Sequence, residues 1–198
     1  MFRMPVNNDV TREKKKIRNK MVELRKNISM EKVLEWSEKI EKRLFTLQEY
    51  VDADAVMFYV SYNSEVYTHD MIKKALKVKK KVVVPLSDTG NKDIIPIEIK
   101  GFDAFKPGAY GILEPFYHPE RVVSKDELDL VVVPGVAFDL EGHRIGHGLG
   151  YYDSFLRETR GRKIGFAFEF QVVPSLPQEK QDVRVDKIVT EKNVIECR

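Results

Sequence analysis

Four glycines fall within nine residues at Gly142-His143-Arg144-Ile145-Gly146-His147-Gly148-Leu149-Gly150. Glycine tolerates positive φ, so such a loop can turn successive backbone N–H groups toward one anion. Before it lies a β-branched run, Leu130-Val131-Val132-Val133, closed by Pro134-Gly135; after it, Tyr151-Tyr152-Asp153 reads as a helix start. The loop is therefore expected to empty onto a positive helix end, and the chemistry this suggests is phosphate binding. The spacing is G-x-x-x-G-x-G-x-G with no closing Lys-Ser or Lys-Thr, so neither the P-loop nor the dinucleotide fingerprint applies. A plain flexible connection is the alternative reading of the same residues.

Charged candidates are scattered along the chain. Ile17, Met21, Leu24 and Ile28 form an apolar stripe at helical spacing, and Lys14, Arg18 and Arg25 project along one border of it without a carboxylate. Cations in that position often only snorkel at the edge of a core. Glu65 falls in a loop after the apolar run at 55–60, and ligands of open α/β sheets bind at the carboxyl ends of strands. A loop glutamate without such a context is simply solvated. Asp153, in a first helical turn, suits either a cation or the helix dipole, and Asp186 alone reads as a strand-end residue. His147 is either a ligand contact or an exposed loop histidine. No Ser-His or Cys-His dyad is evident, so the set favours positioning and charge neutralisation over a nucleophilic side chain.

The elements that must hold these residues follow from periodicity and punctuation. Helices are expected at 10–27, at 30–50 behind a Ser29 cap, at 69–77 behind Thr68 and at 151–159; strands at 55–60, 81–85, 94–99, 129–133, 163–168 and a last one begun by Asp186. Residues 102–115 read as a long loop, and Ser124 to Glu127 as a capping box. The alternation predicts an α/β fold, a three-layer α/β/α sandwich with a largely parallel (mixed) sheet, Rossmann-like, as a single domain over 1–198. With 34 Lys+Arg against 31 Asp+Glu the formal charge is +3, which suits small polyanions and falls short of a dedicated nucleic-acid binder. Without an apolar run of membrane length or a signal-peptide core, a cytoplasmic protein with no membrane contact is expected. The single Cys197 can neither staple the fold nor build a metal cluster.

Pro134-Gly135-Val136-Ala137-Phe138-Asp139 and the stretch 142–153 resemble the signature of the 5-formyltetrahydrofolate cyclo-ligase family. Glu65-Val66-Tyr67-Thr68, Gly111-Ile112-Leu113-Glu114-Pro115 and Val185-Asp186-Lys187-Ile188-Val189-Thr190 are similar to further motifs of that family, in its order. The resemblance implies ATP-dependent conversion of 5-formyltetrahydrofolate to 5,10-methenyltetrahydrofolate, by phosphorylation of the formyl oxygen and ring closure by N10, with ADP and phosphate released. It implies Lys14, Arg18 and Arg144 as catalytic. It places ATP at Lys14, Lys15, Lys16, Ile17, Arg18, Arg144, Ile145, Gly146, His147, Gly148, Leu149, Gly150, Tyr151 and Tyr152. Substrate falls to Val60, Glu65, His147, Gly148, Leu149, Gly150 and Tyr151, and Mg²⁺ to Asp153 and Asp186. Partners are then the folate and ATP, with no nucleic acid and a monomeric chain.

Two departures from the family pattern stand out. Some relatives carry bases where His147 and Leu149 stand, and Leu149 can donate nothing from its side chain; a common Met is replaced by Tyr62. The expected fold also hosts sugar-phosphate isomerases and CoA transferases. A phosphorylated-sugar isomerase and an RNA-binding derivative without turnover are therefore competing readings.

Overall fold

The computed structural model describes residues 8–108 and 112–198. Helix α1 (Asn8–Lys26) is followed by α2 (Met30–Thr46), whose first turn is capped by Ser29 Oγ accepting from Lys32 N at 3.3 Å. The predicted single helix at 30–50 breaks at Leu47, which is extended, and resumes as α3 (Gln48–Asp52). Then come β1 (Ala55–Met57), α4 (His69–Lys77), β2 (Lys81–Asp88) and β3 (Asp93–Ile99). Thr68 precedes α4 but does not cap it. Its hydroxyl is committed instead to Tyr59 O at 2.7 Å and Ser61 N at 3.0 Å, folding the 61–68 loop back onto the end of β1.

The expected long loop holds a small hairpin, β4 (Phe105–Pro107) with β5 (Leu113–Pro115), and Gly111 of the G-I-x-E-P element lies outside the described residues. In the capping box before β6, Ser124 N donates to Glu127 Oε1 at 3.1 Å. Strand β6 (Leu130–Pro134) leads into the hairpin β7 (Ala137–Asp139) and β8 (Arg144–Ile145), then α5 (Tyr151–Arg157), β9 (Arg162–Phe166), β10 (Val172–Val173), β11 (Lys187–Val189) and β12 (Val194–Glu196). The strand after Asp186 is thus followed by one more.

Seven strands form the main sheet in the order β12-β11-β9-β6-β1-β2-β3, parallel throughout the middle and antiparallel at both edges. Strand alternation sorts the apolar runs onto two faces. Val56, Val82, Val84, Leu130 and Val132 pack with Ile40 and Leu44 of α2 and Ile72 of α4. Met57, Val83, Val131 and Val133 pack on the other face with Phe155 and Leu156 of α5. The result is the three-layer α/β sandwich with a mixed sheet that the alternation predicts.

A third core stands apart. Met21 and Ile17 of α1 meet Val136, Ala137, Ile145 and Leu176, so α1 rests on the β7–β8 hairpin rather than on the sheet. The hairpin turns at Gly142, where φ is +86° and any Cβ would run into Val185 O; only glycine satisfies both demands. Through this turn the chain carries Arg144 and the glycine loop back over the carboxyl ends of β6 and β1. Among the described residues no helix is long and apolar enough to cross a membrane.

Candidate active site

A cavity of about 750 Å³ opens at the carboxyl ends of the parallel strands, floored by Pro134 and Gly135 after β6, Tyr59 and Val60 after β1, and Pro85 and Ser87 of β2. Its two walls differ in chemistry. One, from α1, β8, α5 and residues 179–182, carries Lys14, Lys15, Arg18, Arg144, Asp153 and Asp182; the other, from residues 55–65, β3 and β5, carries Val60, Ile94 and Leu113, with Glu65 at its end.

On the cationic wall, Arg144 is buried in β8 and its Nη2 donates to Asp153 Oδ1 at 2.8 Å. Its guanidinium lies 5.7 Å from the centre of the Tyr152 ring. Burial pulls the Arg144 pKa down, against the opposing pull of Asp153, Tyr152 and Asp182. Neither Arg144 Nε nor the buried Tyr152 hydroxyl has a hydrogen-bond partner among the described residues. Burial, and secondarily the charge of Glu65, raises the Tyr152 pKa, so this phenol is a neutral donor. Buried polar atoms are nearly always paired, and two such exceptions on one wall mark a place where a ligand supplies acceptors.

Arg18 donates from Nε to Gly146 O at 2.7 Å, which ties α1 to the glycine loop. Its Nη2 lies 3.3 Å from where a Cβ on Gly148 would stand, and Gly148 has φ of +93°. The backbone N–H groups of residues 147–150 find no acceptor among the described residues. The following helix is only seven residues long, so these amides and the arginines, more than a helix dipole, supply the positive potential expected of the loop.

Lys14 reaches the same wall already paired. Its Nζ donates to Glu179 Oε2 at 2.8 Å and Asp182 Oδ2 at 2.5 Å. Lys15 lines the cavity, whereas Lys16 points to solvent and Ile17 is built into the third core. Neither side chain therefore lines the cavity expected to take ATP: position 16 lies on the side of the helix opposite 14 and 18, and Ile17 is committed to the third core.

Val60 and Glu65 both line the cavity. Glu65 Oε2 accepts from Tyr62 N at 3.0 Å, while Oε1 faces His147 Nε2 at 3.5 Å and Arg25 Nη2 at 4.0 Å. His147 is therefore a bridge from the loop to the opposite wall.

The expectation that Asp153 and Asp186 share an ion is not met. Asp153 lines the cavity; Asp186 precedes β11, and because β11 runs parallel to β9 its first residues sit at the amino end of the sheet. There Asp186 Oδ2 accepts from Lys163 N at 2.7 Å and lines a separate depression with Arg162 and Arg184. Among the described residues no three His, Cys, Asp or Glu side chains are grouped to hold a metal. Magnesium, however, is well served by one carboxylate plus phosphate oxygens and water. Asp153, paired with Arg144 at the cavity, fits that sparse role. Glu179 and Asp182 escape a sequence reading because their partner lies far along the chain: Lys14 and Asp182 are 168 residues apart.

The profile of the 5-formyltetrahydrofolate cyclo-ligase family matches residues 10–191. The NMR structure of Aquifex aeolicus 5,10-methenyltetrahydrofolate synthetase is 36% identical, covers 93% of each chain and superposes with a TM-score of 0.83. The 5-formyltetrahydrofolate cyclo-ligase of Haemophilus influenzae is 27% identical over 87% of this chain and 95% of its own. A 5,10-methenyltetrahydrofolate synthetase from Mycoplasma pneumoniae, at 23% identity and a TM-score of 0.71 over 90% of this chain and 99% of its own, shares the fold. The chain belongs to the 5-formyltetrahydrofolate cyclo-ligase family.

Proposed function

We propose that this member of the family converts 5-formyltetrahydrofolate to 5,10-methenyltetrahydrofolate with ATP and Mg²⁺, releasing ADP and phosphate. The observation that carries the reading is the single cavity with unlike walls. Arg144, Arg18 and the unpaired amides of 147–150 suit a triphosphate, and the apolar wall ending in Glu65 suits a flat heterocycle with N–H groups at its edge.

The chemistry asks for charge neutralisation. A formamide oxygen leaves poorly as hydroxide. Its attack on the γ-phosphorus breaks the bond to ADP and turns it into a phosphate ester. N10 then attacks the formyl carbon, its proton is released, and the C–O bond breaks with phosphate as leaving group. Each step moves charge among phosphate oxygens, which donors held in place stabilise at no reorganisation cost. Asp153 fixes Arg144 at 2.8 Å and Gly146 O fixes Arg18 at 2.7 Å. Both guanidiniums are thus oriented before substrate arrives. When bound through Asp153, Mg²⁺ would shield the phosphate charge.

The test is near-ultraviolet absorbance of purified protein with Mg²⁺-ATP and 5-formyltetrahydrofolate, where the conjugated methenyl product absorbs. An ATP-dependent rise, lost in Asp153→Asn, is the expected result. A flat trace from folded protein that still binds nucleotide would overturn this substrate assignment.

A further inference from the structure

Arg25 is 6% exposed, although it is one of the cations that could have snorkelled outward from the edge of α1. A desolvated guanidinium is costly without a partner. Among the described residues Arg25 makes no side-chain hydrogen bond, its buried Nε has no acceptor, and its one carboxylate neighbour is Glu65 Oε1 at 4.0 Å. That carboxylate is surrounded by His147 from the loop at 3.5 Å, the Tyr59 phenol beyond β1 and the Tyr152 phenol of α5. Tyr59 donates elsewhere, to Val66 O at 3.0 Å. Of these groups only Arg25 is a permanent cation, and its side chain is 7% exposed, whereas that of His147 is 60% exposed. Arg25 itself does not line the cavity.

We infer that Arg25 is a positioning residue: from behind the cavity wall it holds Glu65 as an oriented carboxylate for the N–H edge of the folate, without touching substrate or nucleotide. The inference rests on Glu65 being a substrate contact. It also gives α1 two tasks, with Lys14 and Arg18 serving the nucleotide wall and Arg25, about two turns beyond Arg18 and three beyond Lys14, serving the folate wall.

The test compares Arg25→Met, Arg25→Lys and Glu65→Gln by steady-state kinetics. Arg25→Met is expected to raise KM for 5-formyltetrahydrofolate about tenfold, the scale of one charge-assisted hydrogen bond lost from alignment, with KM for ATP within about twofold of the parent. Arg25→Lys should recover most of the loss, which a purely packing role would not allow. If Arg25→Met does not fold, Arg25→Gln is read the same way. An unchanged folate KM in the Arg25 variants, with Glu65→Gln impaired, overturns the inference and leaves Glu65 as a contact. An unchanged folate KM in Glu65→Gln overturns the contact itself. Equal rises in both KM values would make Arg25 structural.

Discussion

Charged side chains crowd both ends of the central sheet, but they are spent differently. At the amino end, Asp186 takes Lys163 N at 2.7 Å, Lys187 holds Glu49 at 2.6 Å and Glu196 at 2.5 Å, and Lys81 holds Glu127 at 2.9 Å. Every one of these groups is answered from within the protein. At the carboxyl end, Arg144 Nε, the Tyr152 hydroxyl and the amides of 147–150 have no partner among the described residues. Two of the four buried side-chain atoms left without a partner among the described residues, Arg144 Nε and the Tyr152 hydroxyl, belong to residues that line this one cavity, which identifies a site better than density of charge does.

The strongest way to break this contrast is at Arg144. Arg144→Met should lower kcat about 10²- to 10³-fold in the methenyl absorbance assay, the range for removing one preorganised donor to developing charge. A loss below tenfold would mean that its open Nε plays no part in turnover.

A smaller effect is expected from Asp186→Asn. It should leave the Mg²⁺ concentration for half-maximal rate within about twofold of the parent while lowering unfolding stability by about 1 kcal/mol, as the bond to Lys163 N weakens. A raised Mg²⁺ requirement matching that of Asp153→Asn would restore Asp186 as a metal ligand and erase the distinction between the two ends. The least change should come from Tyr152→Phe. Deleting an unpartnered buried hydroxyl should leave thermal stability equal or raised by up to about 1 kcal/mol, whereas a satisfied hydroxyl would cost stability.

The central strands were legible because runs such as Val82-Val83-Val84 and Val131-Val132-Val133 are apolar at every position, the mark of a strand covered on both faces. The glycine loop was legible as a candidate site because four glycines between a buried strand and a helix start leave the backbone open to a ligand, although only Gly142 is required by a close approach to other backbone. Asp186 misled for a directional reason. Its motif resembles a site segment, but a residue at the start of a parallel strand lies opposite the carboxyl ends. Lys16 misled because it stands on the side of α1 opposite Lys14 and Arg18, and Ile17 because its side chain is committed to the third core. The hairpin β7–β8 was hidden because its strands are only three and two residues long and their support is tertiary: β10 and α1 hold it in place. Thr68 had the right residue type for a cap and a better offer from Tyr59 O.

The separate footing of α1 bears on how this protein breathes. The helix that carries Lys14, Arg18 and Arg25 is seated on the small third core together with Ile145, the neighbour of Arg144, while the sheet strands are locked between the two larger clusters. Local opening follows such boundaries, and a unit with a small core opens at lower free energy than the whole molecule unfolds. The cations of α1 are accordingly expected to open together with the hairpin, and amide hydrogen exchange with and without nucleotide should show protection gained in α1 and the hairpin before the sheet.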